Sequence, residues 1–165
     1  MRILGIDPGY GITGFGLIES ERGQNRLLQC GAITTPPGMD FSARLEIIYE
    51  DMRKLLELSK PDAAAIEELF FGQNVTTGIG VAQSRGVILL AIRQAGLEVT
   101  SYKPMQVKQA LVGYGNATKH QMQDMTKRLL HLNEMPKPDD AADAIAIALC
   151  HARSSTSLLA RAQKQ

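Results

Sequence analysis

The sequence is poor in the residues that build disulfide frameworks and zinc sites. Its 165 residues include two cysteines, Cys30 and Cys150, which lie far apart and form no C-x-x-C pair. The three histidines share no ligand spacing with these cysteines beyond the adjacent Cys150–His151 pair. This composition predicts two reduced, packed thiols and gives no indication of a zinc site.

Long apolar runs are also missing. No stretch approaches the roughly 18 apolar residues of a membrane helix, and Asp7 interrupts the short apolar run at the start, unlike a signal peptide. We therefore expect a cytosolic protein. The length suits one domain with a sizeable core, and we predict a domain over residues 1–153 followed by a flexible polar tail, 154–165.

Charge is balanced overall, with a formal net charge of +1, but it is unevenly distributed. Residues 101–131 contain five basic side chains and one acidic side chain. A basic segment in a near-neutral protein favours contact with phosphates, whereas a solvated helix face is the plain alternative. Charge alone does not choose between them.

The apolar pattern predicts an α/β fold with a mixed sheet, a meander at one side and crossovers at the other. Residues 69–80 read as a loop, and Thr118 with Gln121 forms a capping box for the helix that follows. The predicted strands are 2–7, 14–19, 26–34, 63–66 and 98–102, and the predicted helices are 40–59, 81–95, 106–111, 119–130 and 139–153.

A glycine-rich stretch, PGYGITG at residues 8–14, matches G-x-G-x-x-G at Gly9, Gly11 and Gly14. A dinucleotide-binding loop requires a helix after the glycines, but here a strand pattern follows. The Walker pattern also fails, since no Lys-Ser or Lys-Thr follows. The stretch therefore indicates a turn that presents Asp7 at a strand end. The alternative is an aspartate that only caps its own turn.

Further acids fall at the ends of predicted elements. Glu67 ends a second strand, whereas Glu68 points to the opposite face. The last helix begins with Asp139 and Asp140, and helical periodicity lets either one share a face with Asp143. Helix capping is the alternative role for the first two.

Carboxylates that gather in one place repel one another unless a hard cation neutralises them. Mg²⁺ prefers oxygen ligands and is held by a few carboxylates together with substrate phosphate. Acids beside a basic segment therefore favour phosphodiester hydrolysis, in which two metal ions about 3.5–4 Å apart activate water and stabilise the leaving oxygen.

Five motifs in fixed order resemble the RuvC family of bacterial Holliday junction resolvases, in the RNase H-like superfamily. Each motif alone is weak, but the ordered set is specific and spans residues 3–151. The motifs are GIDPG at 5–9, AIEE at 65–68 followed by Phe70, QSRG at 83–86, QVKQ at 106–109 and DAADAIAIA at 140–148.

The resemblance implies a five-stranded RNase H-like fold and a homodimer. It also implies paired Mg²⁺-dependent nicks in four-way junction DNA that leave 5′-phosphate and 3′-hydroxyl ends, with two Mg²⁺ per site and Mn²⁺ as a possible substitute. The implied partners are the RuvA and RuvB branch-migration proteins in the bacterial cytoplasm.

The resemblance also assigns residues to roles. It places the dimer helix at Gln83 and Arg85, although core packing is the alternative for most of that helix's aliphatic side chains. Phe71 departs from the family pattern, and either it or Phe70 could stack on junction bases. The catalytic and metal-binding acids fall on Asp7, Glu67, Asp140 and Asp143, and the DNA-binding residues on Lys108, Lys119 and Phe70.

Three other interpretations compete with this one. An RNase H-like nuclease that processes ribosomal RNA shares the opening strand, Asp and glycine turn, but the QVKQ and DAADA segments argue against it. Sugar kinases, actin and Hsp70 ATPases share the same opening but need two such lobes. A junction-binding protein without catalysis is less favoured because all four acids are present.

Overall fold

Three strands form an antiparallel meander at one side of the sheet: β1 (Arg2–Asp7), β2 (Ile12–Glu21) and β3 (Gln24–Thr34). A computed structural model describes residues 1–69 and 75–156 of the chain. Arg22 and Gly23, both with positive φ, make the tight turn between β2 and β3. Turns of this kind match the twist of paired strands, so the predicted hairpin is confirmed.

Two parallel strands complete the sheet. β4 (Ala63–Glu67) pairs with β1, and β5 (Val99–Tyr102) pairs with β4, giving the order β3-β2-β1-β4-β5. The mixed five-stranded α/β sheet is thereby confirmed. Because β1, β4 and β5 run the same way, their carboxyl ends lie at one edge of the sheet. That edge is called the carboxyl edge below.

Five helices within residues 1–69 and 75–156 cover the two faces of the sheet. α1 (Phe41–Ser59) and α2 (Val75–Gln94) pack on one face around buried residues such as Ile48 and Ile88. The other three pack on the opposite face, where Ile145 and Leu149 are buried. They are α3 (Pro104–Val112), α4 (Lys119–Leu130) and α5 (Asp139–Thr156).

Helix α5 lies directly on the backbone of β1 and β2. A Cβ added at Gly5 would overlap the carbonyl oxygen of Ala144, and one at Gly14 would overlap that of Asp140. A Cβ at Gly16 would lie 2.5 Å from Ile145. Glycine is therefore required at these three positions, called the glycine platform below, for the helix to come this close.

The start of α2 corrects the sequence prediction. Residues 75–80 were expected in a loop, but the helix already includes them. Glycines and β-branched residues in this stretch have low helix propensity, which explains the wrong prediction. Packing overrides that propensity, because Gly80 lies against Tyr10, where an added Cβ would come within 2.9 Å of the ring.

The other helix boundaries agree more closely with the sequence. Thr118 and Gln121 form the predicted capping box, with each side chain bonded to the other's backbone N–H, and α4 has the predicted bounds. Helix α5 runs three residues past its predicted end. Residues 157–165 of the predicted tail lie outside the described residues.

None of the helices within the described part of the chain combines the length and apolar character needed to span a bilayer.

Candidate active site at the carboxyl edge of the sheet

Two acids from neighbouring parallel strands begin the site. β1 and β4 are in register at Ile6 and Ile66, so Asp7 and Glu67 are the next residues on adjacent strands. Side chains alternate along a strand, and these two fall on the face covered by α5. Asp7 is also the sheet partner of Gly14 on β2. The missing side chain of Gly14 leaves room for α5 above the strand.

A cavity of about 230 Å³ joins these acids to residues from three helices. Asp143 enters it from α5, Lys108 from α3 and Lys119 from the first turn of α4. The remaining walls are largely apolar, formed by Pro104, Val107, Met122, Ala146 and Ile147. The structure therefore brings together five of the seven predicted site residues.

Asp140 lies beside this cavity. It is neither one of the residues that line the cavity nor a partner in the ion pairs of Lys119. Its backbone rests on Gly14, opposite Asp7 in the sheet, and its charge acts on the carboxyl of Asp7. Asp139 instead binds Lys119 through an ion pair of 2.9 Å at the surface. The two acids that helical periodicity left unresolved therefore face different neighbours.

Burial and mutual repulsion perturb the acids. Burial, followed by the charges of Glu67, Asp143 and Asp140, raises the pKa of Asp7 to about 7. Burial and the charge of Asp143 raise the pKa of Glu67, and Lys108 opposes this shift. Burial also raises the pKa of Asp143, against the influence of Lys119. Such shifts mark a set of carboxylates whose burial and mutual repulsion outweigh the lysines beside them.

The donor chemistry of the site fits a hard divalent cation. All the acids offer carboxylate oxygens, which Mg²⁺ prefers, and a bound cation would relieve their repulsion. In residues 1–69 and 75–156, however, no three acidic, histidine or cysteine side chains converge tightly enough to enclose an ion. The donor type and charge therefore suit Mg²⁺, but the carboxylates lie too far from one another to enclose an ion as they are now arranged.

The two lysines show that the basic segment lies beside the acids. Lys119 lies 3.7 Å from the Asp143 carboxylate, and its hydrogen bond to Asp139 raises its pKa, so it stays charged. Lys108 faces Glu67. Helices α3 and α4, which carry most of the predicted basic segment, therefore flank the acids.

His120 and His151 lie away from the acids. Phe70 and Phe71 fall outside the described residues. His120 is 83% exposed and lies 3.6 Å from Asp124, whereas His151 hydrogen-bonds the Tyr102 hydroxyl at 3.0 Å. Neither histidine lines the cavity that holds the acids.

Sequence reasoning missed a set of polar contacts beneath the acids. The Ser84 hydroxyl donates to the Gly9 carbonyl at 2.9 Å, and the Arg85 guanidinium donates to the Glu67 carbonyl at 3.0 Å. The sequence feature that could have indicated these contacts is Ser84, a polar residue that shares the apolar face of α2 with the buried Ile88 and Ala91.

Sequence comparisons relate the chain to one family. The family model for crossover junction endodeoxyribonuclease RuvC matches residues 3–151. A RuvC of this description from Chloroflexus aurantiacus is 53% identical over 158 residues, 96% of each chain. One from Brevibacillus brevis is 55% identical over 153 residues, covering 93% of this chain and 92% of the relative.

Structural comparisons agree. Thermus thermophilus RuvC, solved in complex with a Holliday junction substrate, superposes with a TM-score of 0.89 at 37% identity, covering 94% of each chain. The yeast mitochondrial Holliday junction resolvase Ydc2 superposes with a TM-score of 0.67 at 16% identity, covering 92% of this chain and 79% of Ydc2, a likeness of fold alone. The expected RNase H-like architecture is thereby confirmed.

Proposed function

The chain belongs to the RuvC family of crossover junction endodeoxyribonucleases, and we propose that it resolves four-way DNA junctions by two opposed, Mg²⁺-dependent nicks. Membership of this family makes the chain a nuclease and a Holliday junction resolvase. We further propose the metal, the reaction products and the residue roles. One observation carries them: the cavity that joins Asp7, Glu67 and Asp143 to two lysines. Ribosomal RNA processing and inactive junction binding are not favoured.

Asp7, Glu67 and Asp143 would hold Mg²⁺, with Asp140 completing the set and Mn²⁺ able to replace it. When bound, two ions would supply Lewis-acid activation of water and neutralise charge at the phosphate. Raised pKa values support this assignment, because burial and mutual repulsion of the carboxylates outweigh the two lysines beside them.

The lysines would act on the DNA. Lys119, charged and beside Asp143, is placed to oppose the negative charge that develops at the attacked phosphate. Lys108, next to Glu67, is placed to hold the DNA backbone. Hydrolysis that leaves a 5′-phosphate and a 3′-hydroxyl breaks the bond from phosphorus to the 3′-oxygen, and that oxygen gains a proton. Phe70 is proposed to stack on junction bases.

Two opposed nicks require two active sites, and a homodimer through α2 would provide them. Ile79 and Leu90 are 53% and 52% exposed on this helix, and Gln83 and Gly86 between them are also exposed. These positions recur at i, i+4, i+7 and i+11, which makes one stripe along the helix. Gly86 has open space where a side chain would project, which leaves room for a second helix.

The inner face of α2 is core. Ile88 and Ala91 are buried, whereas Val81, Ala82 and Val87 are half-buried. Core packing and a dimer surface therefore belong to different faces of one helix. The RuvA and RuvB proteins remain proposed partners, and the bacterial cytoplasm the proposed location.

A cleavage assay tests the proposal. A synthetic four-way junction and a linear duplex of matched sequence are incubated with the protein, with and without Mg²⁺. We expect paired nicks in the junction alone, only with metal, and ends that DNA ligase can seal. Cutting of both substrates, or cutting in chelator, would contradict the proposal.

A further inference from the structure

Helix α2 hydrogen-bonds the turn that follows β1 and the last residue of β4, from the side opposite the acids. We propose that Ser84 and Arg85 are positioning residues that fix the strand ends carrying Asp7 and Glu67. This inference rests on the proposed roles of those two acids. The two contacts come from consecutive residues, so one turn of helix serves both strand ends.

The Ser84 contact fastens the turn that follows Asp7. Ser84 and Thr13 are both fully buried, and both hydroxyls donate to the carbonyl of Gly9, at 2.9 and 2.5 Å. Gly9 lies two residues beyond the end of β1, where no strand pairing supplies a donor. A buried hydroxyl without a partner is costly, so these side chains and the turn hold one another in place.

The Arg85 contact fastens the end of β4. Its Nε donates to the carbonyl of Glu67 at 3.0 Å, and its Nη2 donates to the Ser101 hydroxyl on β5 at 2.6 Å. The guanidinium thus joins the last residue of β4 to the next-to-last residue of β5 through its rigid fork of donors. A lysine at this position offers a single nitrogen, so it would keep at most one of these two hydrogen bonds in its present geometry.

Neither residue is among those that line the cavity holding the acids. Their effect on chemistry would therefore pass through the backbone. Catalysis is sensitive to such support, since a misplacement of about 1 Å costs roughly 100-fold in rate. The outer face of the same helix carries the proposed dimer stripe, so the dimer contact and the strand-end supports belong to one element.

The test compares Arg85→Met and Ser84→Ala with the matched control Arg93→Met. Arg93 lies on the same helix, is exposed, and bonds only the nearby Leu97 carbonyl at 3.5 Å among its described hydrogen bonds. We expect single-turnover cleavage to slow about 10- to 100-fold in Arg85→Met and about 3- to 10-fold in Ser84→Ala. Junction affinity, measured in chelator, should change less than about twofold, since neither side chain enters the cavity.

Two further readouts separate positioning from general destabilisation. Amide hydrogen exchange should accelerate in peptides containing residues 8–12 for Ser84→Ala and residues 67–69 for Arg85→Met, at unchanged melting temperature. Arg85→Lys should recover part of the cleavage rate. If Arg85→Met does not fold, Ser84→Ala decides, because it removes one hydroxyl from a carbonyl that keeps Thr13.

Wild-type cleavage rates in both variants would overturn the inference, and so would equal losses of cleavage and junction binding, which would make Arg85 a DNA contact. Asp7→Asn, assayed alongside, distinguishes failure of this inference from failure of the proposed role of the acids. If Asp7→Asn is inactive while Ser84→Ala and Arg85→Met are fully active, only the inference fails. If Asp7→Asn cleaves normally, the proposed role of the acids fails.

Discussion

The two ends of the sheet hold cavities of very different character. The carboxyl edge has about 230 Å³ walled by perturbed acids, lysines and apolar side chains. The opposite end, between the β2–β3 turn and the end of α4, has about 890 Å³, and two of its charged residues, Arg26 and Glu19, form an exposed ion pair of 2.9 Å. The smaller cavity is the better candidate site, because buried acids with perturbed pKa values, not volume, mark a site of chemistry.

Neutralising one acid at the carboxyl edge should have the largest effect. Asp7→Asn should abolish cleavage, with a loss above about 1000-fold, because it removes a metal ligand. Junction binding should remain, since the lysines are untouched. Without metal the variant should melt at a higher temperature, because an uncharged side chain avoids the burial cost and the repulsion that together raise the pKa of Asp7 to about 7.

Glu19→Gln is the matched control at the opposite end, and it should leave the cleavage rate unchanged. Loss of junction binding by Asp7→Asn, or a lower melting temperature, would count against the assigned role.

Substitution in the glycine platform comes next in size. Gly14→Ala places a Cβ against the Asp140 carbonyl, so α5 must move away from the sheet. We expect a loss of about 1–3 kcal/mol in the free energy of unfolding, typical of overpacking, and slower cleavage, because Asp140 and Asp143 move with the helix. Urea denaturation and the junction assay measure the two effects.

Gly11→Ala provides the control within the same glycine-rich stretch. Nothing lies within 4 Å of the position that its Cβ would take, so stability should change by less than about 0.5 kcal/mol, as at other surface sites. Equal losses at Gly11 and Gly14 would show that the whole turn, rather than the contact with α5, limits stability.

The lysines allow a finer distinction. Lys119→Ala should slow cleavage about tenfold or more while weakening junction binding less than about threefold, because its ammonium faces Asp143 inside the site. Lys127→Ala, at the far end of the same helix, should change only the salt dependence of binding. Equal effects of Lys119→Ala on rate and affinity would reduce Lys119 to a DNA-positioning contact.

The smallest effect is expected at the opposite end. Arg26→Gln breaks an ion pair whose arginine is 73% exposed, and such surface pairs contribute about 0–1 kcal/mol. Urea denaturation should detect little change, and the cleavage rate should match that of the unmodified protein. A large loss of activity would mean that the distal cavity takes part in the reaction after all.

Local patterns in the sequence were enough to place much of the site. Asp7 and Glu67 end strands whose apolar patterns can be read directly, and the start of α4 follows from its capping box. Parallel pairing of β1 and β4 then brings the two acids together. These features depend on neighbours within a few residues, or on the usual pairing of parallel strands.

Long-range packing decided the rest. The early start of α2 depends on contact between Gly80 and Tyr10, 70 positions apart in the chain. Helical periodicity left Asp139 and Asp140 open and only the family pattern selected Asp140, whereas their different neighbours depend on how α5 packs against Gly14. The contact of Ser84 with Gly9 joins residues 75 positions apart, and no local pattern could predict it.

The glycine platform also has a consequence for thermal motion. Where a side chain separates a helix from a sheet, rotamer changes can alter their spacing as temperature rises. Between α5 and the strands at Gly5 and Gly14 no such side chain intervenes, and backbone atoms meet directly. The separation between the acid on β1 and the acids on α5 is therefore set by atomic radii, which leaves it insensitive to side-chain disorder.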